Sequence, residues 1–394
     1  MSDKTDRRQF LQQVLGQALG GTLLAASPSL FAQAYSKQSE QILIEGWFSA
    51  QGAQTQSYGF AANVDWQQQG KQQTKHITGL SGFRGHGGAQ HPNTEQKPHS
   101  VLMFGRRPSN ESIEVDLLTG DVTARFTARP DRHFYGHGAF SADGKTLFTV
   151  EAGISNGVGV IGIRDAETYQ WLGEYSSYGV GPHQLMLMPN GRELVVANGG
   201  ILTRPESGRE KLNLSTMRST LAYIDIETGK LNSEWQVPEP KASIRHLDVA
   251  EDGTVAIAMQ VQRGVCGHEN IVALTAVHKP GQPIKLLDQP EMVIEQMDDY
   301  VGSVAIHGDS RVAGFTSPRG DVVGFWNIDS GEYKGYHALR DVCGIAVSKQ
   351  DSAFIVTNSY GMVHTIDAHS LQERVALRKH YPGMAWDNHM LTLV

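Results

Sequence analysis

Apolar residues along the chain come in short runs broken by glycine, aspartate, asparagine and serine, and one pattern of runs recurs. A glycine or other small residue, often beside a histidine, is followed by a short apolar strand. An Asp-Gly or Asn-Gly turn and a second strand of β-branched residues come next. The clearest copy runs from Tyr135 to Val150 around Asp143-Gly144. Others run from Gly181 to Val196 around Asn190-Gly191, and from Ile244 to Ile257 around Asp252-Gly253. Weaker copies start at Val301 and Val342. A divergent first copy holds Arg84 to Gly88 before Ser100 to Phe104, and a last one runs from Pro382 to Asn388 and ends in Met390 to Val394. Such turn pairs between apolar runs are strong hairpin signals, because both turn positions need positive φ. A second hairpin follows in several copies, as at Leu221–Leu231, Val322–Glu332 and Ser112–Asp121.

Seven copies of four strands predict an all-β, seven-bladed β-propeller. The 360 residues from Tyr35 to Val394 divide into about 51 per copy, the size of one blade. A single blade cannot cover both faces of its sheet, so the copies must stack in a ring. The strand at the C-terminus is expected to complete a blade begun near Ile42 to Glu45, which removes an exposed sheet edge.

Composition sharpens this picture. Charged residues are only 19% of the chain and glycines number 43, as suits a turn-dense β protein. The net charge of −7 leaves nucleic-acid binding without an electrostatic basis. Two cysteines, Cys266 and Cys343, exclude a disulfide scaffold and an all-thiolate zinc site. At the N-terminus, Arg7-Arg8 with Phe10 and Leu11, a mild apolar stretch from Val14 to Ala26, and Ala32-Gln33-Ala34 resemble a twin-arginine export signal cleaved after Ala34. The expected organisation is a signal at 1–34, one propeller domain at 35–394, and a periplasmic location. No run is long enough for a membrane span in the mature chain.

Aligning the copies on their turns stacks histidines. His86, His137 and His246 share one column, and His183 is displaced by one residue; Ser303 and Gly344 occupy the column in later copies. In a propeller this column opens the innermost strand, beside the central channel. Imidazoles from separate blades can therefore meet around one ion with no local motif, and neutral imidazole suits iron, copper or zinc. The competing reading is a structural Gly-His, each ring bonded within its own blade, as in WD-type propellers. A second polar column closes the next strand: Arg106-Arg107, Glu151, Asn198, Gln260, Ser317 with Arg319, and Asn358. Glu151 is the candidate ligand or base. Arg106, Arg107 and Arg245 are candidates for holding an anionic group, with Asn198, Gln260 and Asn358 as further ligand-orienting groups. Cys266, His268 and Cys343 form a weaker soft-metal candidate, against a disulfide or two inert thiols. There is no Cys-x-x-Cys-His, which excludes covalent c-type haem, and no nucleophile elbow, His-Glu-x-x-His or P-loop.

At Gly-His-Gly-Ala-Phe-Ser-Ala-Asp-Gly-Lys (136–145), Gly-Pro-His-Gln-Leu (181–185) and Arg-His-Leu-Asp (245–248), the chain resembles the DUF1513 family. The resemblance implies a twin-arginine-exported propeller similar in fold to quinoprotein amine dehydrogenases, with a role around iron uptake and with periplasmic iron-uptake or redox proteins as partners. It implies no particular reaction. The expected function is a binding or accessory protein holding a metal or metal complex at the channel mouth. A metal-dependent lactonase-type hydrolase or an oxidoreductase is the alternative, and a protein-interaction scaffold the third reading.

Overall fold

A computed structural model of the chain describes residues 41–394, apart from 53–57, 69–70, 93–96, 98, 209 and 264–270. The expected export signal at 1–34 and the pair Cys266 and His268 lie outside the described residues. Seven four-stranded antiparallel sheets make up the body. Six are built from consecutive strands. The first of these holds β4 (Gly85–Gln90) to β7 (Val122–Thr127), and the next holds β8 (Arg132–Phe140) to β11 (Trp171–Val180). Their counterparts open with β12 (Pro182–Leu187), β16 (Ala242–Val249), β20 (Ser303–His307) and β24 (Val342–Ser348). The seventh sheet is split across the chain. Its order is β28 (Trp386–Leu393), β1 (Gln41–Gln51), β2 (Gly59–Gln68), β3 (Lys71–Leu80). The N- and C-terminal strands thus pair as expected, Gly46 facing Leu393 and Phe48 facing Leu391.

The first strand of each sheet touches the first strand of the next, and the series β4, β8, β12, β16, β20, β24, β28 returns to β4. This cycle defines the axis of the propeller. Between the sheets lie apolar layers, for example Phe48, Phe60, Val64 and Trp66 with Met103 and Val115. The turns follow the expected chemistry: Gly144, Gly191 and Gly253 have φ of +67°, +66° and +83°. One short helix, α1 (Glu291–Gln296), interrupts the β pattern ahead of β20. Among the described residues, no helix is long and apolar enough to cross a membrane.

Closure depends on contacts between chain ends. Trp386 of β28 is buried and meets Trp47 of β1 edge to face, with ring centroids 5.2 Å apart. Glu45 of β1 accepts hydrogen bonds from Ser348 Oγ and the Lys349 amide of the preceding blade. Replacing Trp386 with alanine is expected to cost about 3–5 kcal/mol, read as a lowered urea midpoint. A loss below about 1 kcal/mol would show that the closing blade adds little to the stability of the ring.

Candidate metal centre

The innermost strands do not run straight at the level of the histidine column. In β4 the pairing skips from Gly85 to Gly88, in β8 from Phe134 to Gly138, in β12 from Pro182 to Gln184, and in β16 from Ile244 to His246. The pairing of β28 with β1 slips between Met390 and Trp386. Each skip is a bulge, which bends a strand and re-aims a side chain. The bulge in β12 absorbs the one-residue offset of His183. β20, which carries Ser303 at this level, pairs without interruption. β24 bulges at Cys343-Gly344, where glycine has no side chain to aim.

The bulges gather His86, His137, His183 and His246, and add a fifth ring, His389 of β28. Ring centroids of His86 lie 4.9 Å from His137, 5.7 Å from His183, 5.8 Å from His246 and 4.4 Å from His389. His246 lies 4.6 Å from His183 and 4.1 Å from His389. Donor nitrogens of His86, His246 and His389, and of His86, His137 and His183, come within 4.8 Å of one another, close enough to share an ion. Glycine makes this approach feasible. A Cβ on Gly136, whose φ is +105°, would stand 2.7 Å from the His86 ring, and one on Gly87 would stand 2.4 Å from His137 Nδ1.

Burial is the largest influence on all five rings and keeps them neutral. His86 is pushed down to about 3, and His137, His183, His246 and His389 fall well below the usual imidazole range. Several ring nitrogens then have no hydrogen-bond partner: both of His86, and Nε2 of His137 and His389. Nδ1 of His246 and of His389 is held from outside, and His86 Nδ1 has a carboxylate nearby. The Gln184 amide is fixed by Leu247, donating to its carbonyl at 2.9 Å and accepting from its N–H at 3.1 Å. Its oxygen therefore faces His246 Nδ1, 3.2 Å away, which puts the proton on Nδ1 and leaves Nε2 a lone pair. His389 Nδ1 shares a 3.3 Å hydrogen bond with Ser303 Oγ. Asp387 Oδ1 stands 3.8 Å from His86 Nδ1, while Arg84 Nε donates to Oδ2 at 2.7 Å. Burial alone raises this carboxyl, but His86 and Arg84 hold it far below the usual range. Such outer partners orient metal-ligating histidines. His183 differs: Arg245 Nη1 donates to its Nδ1 at 3.3 Å, so the ring proton sits on Nε2. His183 can ligate only if that contact opens.

A family model described as a protein of unknown function, DUF1513, matches residues 81–393. The chain belongs to this family. No curated protein matches the chain.

The second polar column of this DUF1513 propeller divides. Arg245 and Arg107 lie beside the ring: Arg245 Nη1 stands 3.3 Å from His183 Nδ1, and Arg107 lies over the Tyr135 ring at 6.0 Å while donating to Thr203 Oγ1; the charge of Arg106 acts on His86 and His389. Glu151 is fully buried inside its own blade. Its Oε1 accepts from Arg164 at 3.0 Å and from Thr149 at 2.7 Å, and burial raises its pKa against the pull of Arg164. Asn198 donates to the Ser177 carbonyl of the neighbouring blade at 2.7 Å. Asn358 donates to the Arg340 carbonyl and accepts from the amides of Tyr360 and Met362. Both act as strand-end ties. Gln260 bridges to Tyr300 through the backbone. Cys343 is a free, buried thiol beside the Thr357 and Trp386 carbonyls, and burial pushes its pKa up.

Beyond the ring, the axis opens into a channel of about 890 Å³ that His137, His246 and His389 face. Its far end carries Asp248, Glu251, Asp252 and Asp309 beside Arg311 and Lys349. A further His337–His364–Glu373 group lies on outer strands, where Arg378 already holds both oxygens of Glu373 at 2.7 and 2.6 Å.

The neutral rings set a pH dependence for the metal-free protein. In the unfolded chain each imidazole gains a proton near pH 6.5, whereas the buried rings do not until far lower. Stability is therefore fully present above pH 6.5 and falls with acid, by up to about 1.4 kcal/mol per pH unit for each ring. Urea unfolding at pH 7, 6 and 5 should show this slope, reduced by about two protons in His137→Gln/His246→Gln. A flat profile would contradict neutral burial of the rings.

Proposed function

We propose that the five-histidine ring binds one first-row transition-metal ion on the propeller axis, and that the protein is a metal-binding or accessory factor rather than a hydrolase. The buried ring nitrogens of His86, His137 and His389 without partners carry this reading. Leaving several such groups unpaired in a dry interior costs about 1–3 kcal/mol each, and an ion satisfies them at once. The donor set is all imidazole, which suits iron, copper or zinc and not calcium or magnesium. His86, His246 and His389 are the foremost ligands, since Asp387, Gln184 and Ser303 support them from outside. His137 adds a fourth nitrogen.

Iron is the ion favoured by the setting that the family resemblance implies, an accessory role in periplasmic iron uptake. Twin-arginine export, read from Arg7-Arg8, fits such a centre, because that route carries folded proteins and lets an ion be inserted before export. A lactonase-type reading needs a base beside the ion. Glu151, the candidate for that role, is committed to Arg164 and Thr149, which supports binding over hydrolysis.

Elemental analysis of protein from its natural source should find about one iron, copper or zinc ion per chain. His137→Ala/His246→Ala should lose it, while Glu151→Gln should keep it. Wild-type protein that takes up none of these ions when they are supplied, or a double variant that retains a full equivalent, would overturn the proposal.

A further inference from the structure

The cations beside the ring have no role in holding a metal ion, and a bare cation would be repelled by them. Arg245 reaches the ring itself, 3.3 Å from His183 Nδ1, and its Nε is buried without a partner. Arg107 lies against Tyr135, whose ring is 6.3 Å from that of His183. Arg106 bears on His86, His389 and Tyr300. Asp387 acts on His389 and Tyr300, and Arg84 already occupies one of its oxygens. The like charges also act on one another. Burial, followed by the opposing influence of nearby tyrosines and the push of Arg107 and Arg106, lowers Arg245 to about 10. In a chain of net charge −7, such a convergence of guanidinium groups is a local exception.

We infer that Arg245 and Arg107 form an oxyanion subsite against the histidine ring, so that the ligand of this protein is a metal ion carrying a carboxylate or phosphate group. The inference rests on the proposed metal centre. Guanidinium forks match both oxyanions and hold them through charge-assisted hydrogen bonds. An oxyanion placed there neutralises the buried cations, reaches toward the ion through its oxygens, and adds hard donors to an otherwise all-imidazole set. The wide channel, by contrast, is lined by Glu251, Asp252 and Asp309 together with Arg311 and Lys349, and Arg311 already donates to Asp252, so the arginines beside the ring are the groups that would draw an anion.

The test is a two-step titration of the full mature chain. Zinc chloride alone is titrated first. The zinc-loaded protein is then titrated by calorimetry with succinate, with inorganic phosphate and with uncharged succinamide. Failure of zinc to bind, together with failure of iron and copper salts titrated in the same way, would overturn the metal centre itself. With zinc bound at one equivalent, succinate or phosphate should bind and succinamide should not. Which anion binds more tightly identifies the oxyanion class. Arg245→Met and Arg107→Met should each weaken the anion about 10- to 100-fold while leaving zinc stoichiometry unchanged. Zinc binding with no response to either anion, or anion binding undiminished in both variants, would overturn the subsite alone.

Discussion

Five imidazoles can occupy one small space only while they remain uncharged, and two features of the structure keep them so. Circular closure carries strands distant in the chain to one axis. Burial of the rings against one another and the inner strands makes protonation costly. Five imidazolium ions at centroid separations of 4.1–5.9 Å would repel one another strongly in such surroundings. The neutral rings present lone pairs instead; Gln184 determines which nitrogen of His246 is free, and Ser303 and Asp387 stand behind His389 and His86. The site is thus a consequence of backbone geometry before it is a set of ligands. The bulges turn the histidines inward, and Gly87 and Gly136 clear the space they enter.

The propeller was readable from the repeat, because Asp-Gly and Asn-Gly turns mark the inner hairpins of three copies, at 143–144, 190–191 and 252–253, and similar apolar runs recur in the others. That same dependence explains the omission of His389. Its strand, β28, pairs with β1 from the other end of the chain, so no turn follows it and no alignment on turns can bring it into the column. His137, His183 and His246 were visible because their copies keep the turn, and His86 because its copy keeps the Gly-His pair. Which way they point was not, since an ordinary strand and a bulged strand look alike in sequence, and the choice between a ring bonded within its blade and one aimed at the axis depends on that difference.

The second polar column shows the opposite behaviour. A polar residue closing an apolar strand reads the same whether it faces the axis or ties one blade to the next. Asn198 and Asn358 spend their side chains on backbone groups of adjoining segments. Glu151 has its partner on the next strand, at Arg164, a pairing that no local pattern announces. Arg245 and Arg107 differ, since they lie beside the ring. The result is a centre with imidazoles in the middle, arginines beside them, and a channel lined by both acidic and basic residues.

X-ray absorption at the metal edge tests the central claim most directly. Protein loaded with one equivalent of iron, copper or zinc should show a first shell dominated by nitrogen at about 2.0–2.1 Å, with the outer-shell scattering of at least three imidazoles. A shell of oxygen or sulfur without imidazole scattering would place the ion elsewhere and contradict the account.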